Sequence, residues 1–327
     1  MGGDREILYE LGYIDGMRLS TWNDVGLGHM AEEISDAFTP LVQREAPWGD
    51  PKWSKHMWKH RKKILRGFAK RQFGGSRPEN QRNTDAIHDE YDEVWGRGFE
   101  RYQMNPRVRH KPWTWRRRRY WASSIGATRF RQAILTRIIE RVRPKSVLEV
   151  GCGNGINLLL LACRFPEIQF TGVELTAAGH EVATRFQASN QLLPEALQAF
   201  APLPLADLAA FRRIRFIQGS AAKLPLADGA VDLTMTVLAL EQMERIRHQA
   251  LSEIARVTAG HAFLLEPFRE FNDHGWFYIN RIKRDYFAGR VRELPKFGLQ
   301  PEFAVADYPQ EVFLRTCAVL CRKVPAR

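Results

Sequence analysis

Val147 to Gly155 reads V-L-E-V-G-C-G-N-G. A short apolar run meets three glycines at alternate positions, and an apolar helical pattern follows. Glycines at such a strand-to-helix turn let the backbone turn tightly and approach a ligand closely. The dinucleotide fingerprint G-x-G-x-x-G fits Gly151 and Gly153, but its third position is Ile156 and the glycine falls one residue early, at Gly155. Glu149 puts a carboxylate just before the turn, awkward for a pyrophosphate and suited to a cationic ligand. Glu174 lies 23 residues after Gly151, where an acid accepts both ribose hydroxyls. A nucleoside with a positive charge and no phosphate fits these features.

Around this turn the pattern alternates. Phe130, Ile134, Ile138 and Ile139 predict an amphipathic helix ending near Arg143, before Pro144. Strands are expected at Ser146–Val150, Phe170–Leu175, Arg215–Gln218, Val231–Val237 and His261–Glu266, with helices at Ile156–Arg164, Ala177–Gln191 and Glu244–Val257. Phe303–Ala306 and Val312–Cys321 read as two closing strands without room for a helix between them. The fold expected is α/β, a doubly wound Rossmann-like seven-stranded sheet with an antiparallel edge strand. Leu192 to Arg213, with three prolines, is an insertion before the third strand, read as a surface excursion, a lid or an oligomer contact.

These residues resemble class I S-adenosylmethionine-dependent methyltransferases, within the broad group typified by ubiquinone/menaquinone methyltransferases (methyltransferase type 11). V-L-E-V-G-C-G-N-G is similar to the first motif, and F-T-G-V-E-L (170–175) to the ribose-binding strand end. I-Q-G-S-A-A-K-L-P-L (217–226) resembles the adenine-binding turn, and 228–243 the fourth strand with its loop. A-L-S-E-I-A-R-V (250–257) and F-L-L-E-P-F (263–268) follow in the same order. The resemblance covers residues 121–327. It implies S-adenosyl-L-methionine as cofactor, held by Glu149, Gly151, Cys152, Gly153, Gly155, Glu174, Leu175, Ser220, Ala221 and Val237. Ser220 stands where the family commonly has Asp, so adenine would be held mainly by backbone and apolar contacts. For the acceptor end, Glu241 and His274 are the catalytic candidates, and Gln242, Trp276 and Tyr278 the substrate-binding ones. For Trp276 and Tyr278, helix packing is the competing role. No metal site is expected.

Residues 1–120 read as a basic, Trp-rich, mainly helical extension, with the methyltransferase domain over 121–327. The net charge of +12 is unevenly spread: −7 over 1–51, +13 over 52–121 and +6 beyond. The acidic block is able to neutralise the basic one internally; otherwise the basic block faces an anionic partner. Eight of nine tryptophans precede residue 122. Trp53–Phe73 predicts a helix with an apolar stripe of Met57, Ile64, Leu65, Phe68 and Ala69, its lysines either solvated or against an anionic membrane surface. K-P-W-T-W-R-R-R-R-Y-W (111–121) reads as a lead-in segment able to close over the cofactor pocket, and 74–85 as a linker. The expected partner is a small-molecule, lipid or lipid-linked saccharide acceptor. The alternative is an RNA methyltransferase gripping phosphates with the basic region, though no RNA-binding module is recognisable there. Four cysteines without metal spacing read as buried free thiols. With no apolar leader in Met1–Glu10, the expected location is cytoplasmic, with peripheral contact at the inner face of the membrane as an option. The sequence sets no oligomeric state.

Overall fold

The computed structural model describes residues 13–14, 17–73, 98–100, 102, 110–284 and 286–325. The linker reading at 74–85 lies outside the described residues. The chain opens with two short strands paired antiparallel, β1 (Tyr13–Ile14) and β2 (Met17–Arg18). Next come α1 (Met30–Phe38), β3 (Val42–Glu45), α2 (Pro51–Phe73), β4 (His110–Trp115), β5 (Arg118–Ser123) and α3 (Gly126–Val142). The alternating part then runs β6 (Ser146–Val150), α4 (Ile156–Arg164), β7 (Gln169–Glu174), α5 (Ala177–Gln187), α6 (Glu195–Gln198), β8 (Arg215–Gln218) and β9 (Val231–Val237). It closes with α7 (Arg247–Val257), β10 (Thr258–Glu266), α8 (Arg269–Asn272), α9 (Gly275–Arg284), β11 (Leu299–Val305), β12 (Gln310–Glu311) and β13 (Cys317–Lys323).

The main sheet has seven strands in the order β11-β13-β10-β9-β6-β7-β8. From β6 the chain steps outward to β7 and β8, then returns to β9 on the other side of β6. That reversal is a topological switch point, where open α/β sheets bind ligands at the carboxyl ends of their strands. The central strands read as apolar runs because helices cover both faces. The edge strand β11 pairs antiparallel, as expected; the strand reversed against the rest is β13, inserted between β10 and β11. Cys317 and Cys321 share one buried face of β13, and all four cysteines are free and buried.

Two expectations change. Val312–Cys321 is not one strand: β12 ends at Glu311, Phe313 turns the chain at φ 68°, and β13 begins at Cys317. The insertion is not a surface excursion. Leu193, Leu197, Phe200 and Phe211 enter the main core, and the backbone amides of Ala206 and Asp207 donate to the Cys163 carbonyl.

Among its described residues the extension has more helix than strand, but a second antiparallel sheet organises it, in the order β12-β4-β5-β3. The arginine-rich stretch is its central hairpin. Arg116 and Arg117 form the two-residue turn with φ 47° and 62°, the type I′ signature normally filled by Asn-Gly. Strand β12 comes from the C-terminal part, and the expected 120/121 boundary falls inside β5. Met30, Ile34, Ala37 and Phe38 on α1 form one apolar face against α3.

Candidate active site

The glycine turn leaves β6 with all three glycines at positive φ: Gly151 at 73°, Gly153 at 56° and Gly155 at 80°. Gly151 is doubly constrained, since a Cβ there would stand 2.7 Å from the Ala239 Cβ. At Gly155 a Cβ would meet the Phe216 ring at 2.7 Å. The turn is thus pressed between the loop after β9 and strand β8. The thiol of Cys152 lies in the core beneath β7, and burial lifts it well above the usual thiol range. Cys152 therefore offers its backbone, not its sulfur.

Glu174 ends β7, and its buried carboxylate ties the two loops together. Oε2 accepts the Gly153 amide at 2.8 Å; Oε1 accepts the Thr176 amide at 2.9 Å and the Thr176 hydroxyl at 2.8 Å. A carboxylate has about four lone-pair sites, so capacity remains for a ligand hydroxyl. Thr176 also caps α5 by accepting the Gly179 amide. Leu175 is half-buried beside it. In the loop after β8, the Gly219 amide donates to the Glu174 carbonyl, and the Ser220 hydroxyl accepts the Ala222 amide at 3.2 Å. Ala221 is buried, Val237 half-buried at the end of β9.

Glu149 is buried at the end of β6. Asn157 Nδ2 donates to its Oε1 at 2.7 Å, and Gln132 Nε2 donates to Asn157 Oδ1 at 3.1 Å. Its Oε2 has no hydrogen-bond partner among the described residues. Burial, with the Glu174 charge as a smaller contribution, pushes Glu149 up to about 8. The Gln132–Asn157–Glu149 relay was not anticipated. Its signal was a lone polar residue in the first turn of the otherwise apolar α4.

Beyond β9, Leu238 sits at φ 55° and a short 3-10 turn holds Glu241 and Gln242. Glu266, at the end of β10, fixes this loop. Its Oε1 accepts the amides of Ala239 and Leu240 at 3.0 and 3.1 Å, and its Oε2 that of Glu241 at 3.3 Å. Burial, then the Glu241 charge, raises Glu266 to about 8. Gln242 Nε2 donates to the buried Glu241 Oε1 at 2.7 Å. His274, Trp276 and Tyr278 lie on the segment after the neighbouring β10. The His274 ring tilts against Phe277 at 5.4 Å. Trp276 packs on the α2 cluster beneath Arg61, and Tyr278 is exposed with the Arg281 guanidinium 5.4 Å from its ring. The cofactor candidates thus converge at the ends of β6, β7, β8 and β9. Of the acceptor candidates, Glu241 and Gln242 join that edge, while Trp276 takes a packing role.

Residues 148–265 match the family model described as a methyltransferase domain. Within those residues, and in its strand order, the chain is similar to class I S-adenosylmethionine-dependent methyltransferases. Two probable S-adenosylmethionine-dependent methyltransferases of Mycobacterium tuberculosis, strains CDC 1551 / Oshkosh and ATCC 25618 / H37Rv, are each 27% identical over 136 residues. The match spans 41% of this chain and 39% of each relative, well under two thirds of their length. Among solved structures, the geranyl diphosphate C-methyltransferase of Streptomyces coelicolor A3(2) aligns at 13% identity and TM-score 0.43, over 59% of this chain and 79% of that one. A methyltransferase of Methanosarcina mazei aligns at 15% and TM-score 0.42, over 57% and 97%.

Proposed function

We propose that this chain transfers a methyl group from S-adenosylmethionine to a small-molecule, lipid or lipid-linked saccharide acceptor. The carrying observation is the pair of buried acids at the switch point. Glu174 braces the glycine turn with acceptor capacity left over, and Glu149 keeps one oxygen unpartnered. An orphaned buried carboxylate oxygen is expensive unless a ligand satisfies it. These residues fit a nucleoside with a cationic end: ribose hydroxyls on Glu174, the charged end near Glu149, adenine against Leu175, Ser220 and Ala221. When bound, the cofactor supplies a methyl already activated on a sulfonium.

The remaining work falls to the chain: to hold the acceptor in line and, for a hydroxyl or acidic carbon, to take its proton. Glu241 is the better placed of the two candidates. Its backbone is held by Glu266 and its carboxylate oriented by Gln242, on the loop that touches the glycine turn. His274, at the start of α9, is the second candidate for the proton acceptor.

Two measurements test this. Glu174→Ala should weaken S-adenosylmethionine binding by more than about 1.5 kcal/mol, roughly tenfold, because it strips partners from buried amides and ribose hydroxyls. Unchanged affinity by calorimetry would put the cofactor elsewhere. Methyl-labelled S-adenosylmethionine, incubated with the protein and an extract of its source cell, should pass label to lipid or small molecules, and Glu241→Gln should slow that transfer by about 10²–10⁴. Label in RNA would reverse the acceptor assignment.

A further inference from the structure

Three acids of the first block pair away from α2: Glu33 with Arg137 on α3, Glu45 with Arg118, and Asp50 with Arg44. The four-arginine turn is also engaged internally. Arg116 binds Asp307 through Nη2 at 2.6 Å, and Arg119 stacks 3.6 Å from the Trp48 ring. Helix α2 itself carries six lysines, three arginines and no acid in 23 residues. None of Lys55, Lys59, Lys62, Lys63 and Arg66 forms an ion pair with a described residue.

The helix has two faces. Trp53, Met57 and Ile64 are buried against Trp121 and Phe313, and α9 crosses closely at Gly67. Leu65 and Ala69, expected in that stripe, are exposed instead. Trp58 is 61% exposed, Leu65 46% and Phe73 84%. At about 100° per residue these three fall within about 80° of one another and run about 22 Å along the axis. Large apolar side chains lined up among basic ones are the pattern of a helix lying in a bilayer interface. Indole suits the headgroup level, and basic side chains are drawn to anionic lipid. Leu65 has no ring to stack on a base, which favours lipid over RNA.

We propose that α2 is a membrane-docking helix whose outer face, Trp58, Leu65 and Phe73 among lysines and arginines, lies in the headgroup region of an anionic bilayer. The inner face holds the enzyme to the helix, and α9, which follows the catalytic edge, is its direct neighbour. Docking would set that edge beside a lipid-borne acceptor.

The test uses the full chain, without cofactor, and phosphatidylcholine vesicles with or without phosphatidylglycerol, read by co-sedimentation. The protein should sediment with the anionic vesicles and be released by salt. Trp58→Ala/Leu65→Ala/Phe73→Ala should lower partition at least tenfold with an unchanged melting temperature, since all three side chains are exposed. Lys59→Gln/Lys62→Gln/Arg66→Gln should lower it about a hundredfold, at about fivefold per cation. No binding to anionic vesicles, binding that survives both triple variants, or Trp58-dependent binding to homopolymer RNA in place of vesicles would overturn the proposal. Because no methyl transfer is read, its failure is separable from failure of the catalytic reading.

Discussion

Three carboxylates lie at the carboxyl ends of three strands of the sheet, and each holds its place differently. Glu174 is satisfied by backbone and hydroxyl donors, Glu266 by a row of amides, and Glu149 by a single asparagine. Glu149 and Glu266 are both pushed up to about 8 by burial. The folded chain therefore keeps protons on them that an unfolded chain releases near the ordinary glutamate value of about 4.3. Stability should be fullest below that value and fall as pH rises from there to about 8, since the folded state binds more protons across that window. Thermal melts of the unliganded protein from pH 5 to 8 should show the decline, and Glu149→Gln should flatten it. A decline as steep in Glu149→Gln as in the parent would mean that Glu149 is already ionised in the fold.

At the scale of elements, the core strands were legible because burial on both faces leaves an apolar run that turn residues bracket. Ser146–Val150, Arg215–Gln218 and Val231–Val237 lie where the pattern puts them. The insertion misled because three prolines and short apolar patches resemble a loop. Only the folded chain shows Phe200 and Phe211 wholly buried beside Cys163 and Tyr102. Phe200→Ala should therefore destabilise the protein by about 3–5 kcal/mol, as for an aromatic removed from a core. A denaturant midpoint unchanged within error would restore the surface reading. The arginine hairpin misled in the opposite sense. Two left-handed arginines break the usual turn preference, so charge stood out and the turn did not.

At the scale of the whole molecule, the extension and the methyltransferase domain share one core. Trp22, Met30, Ile34, Phe38 and Trp113 pack in the same cluster as Ile134, Ile138 and Phe263. Asp307, between β11 and β12, accepts hydrogen bonds from Trp22, Trp115 and Arg116. Residues 122–327 expressed alone should consequently bind a hydrophobic dye and melt without a cooperative transition, since that cluster would face water. A sharp melt would make the extension an independent cap. No helix among the described residues is long and apolar enough to cross a membrane, so any contact of α2 with a bilayer is made from the surface.

The sequence by itself determined the alternation of strands and helices and the acids around the glycine turn. Those depend on neighbours in the chain: a strand's alternation or apolar run, the φ that glycine permits, and an acid placed where a strand ends. What charge and aromatic residues do depends on which side chains the fold brings opposite them. Tertiary structure therefore decided that the arginine run is a turn held by Asp307, that Trp276 packs on α2, and that Asn157 reaches Glu149. It also turned α2 so that Met57 and Ile64 face inward while Trp58, Leu65 and Phe73 face out. Helical period alone offers both faces as apolar; only the packing partner settles which one is covered.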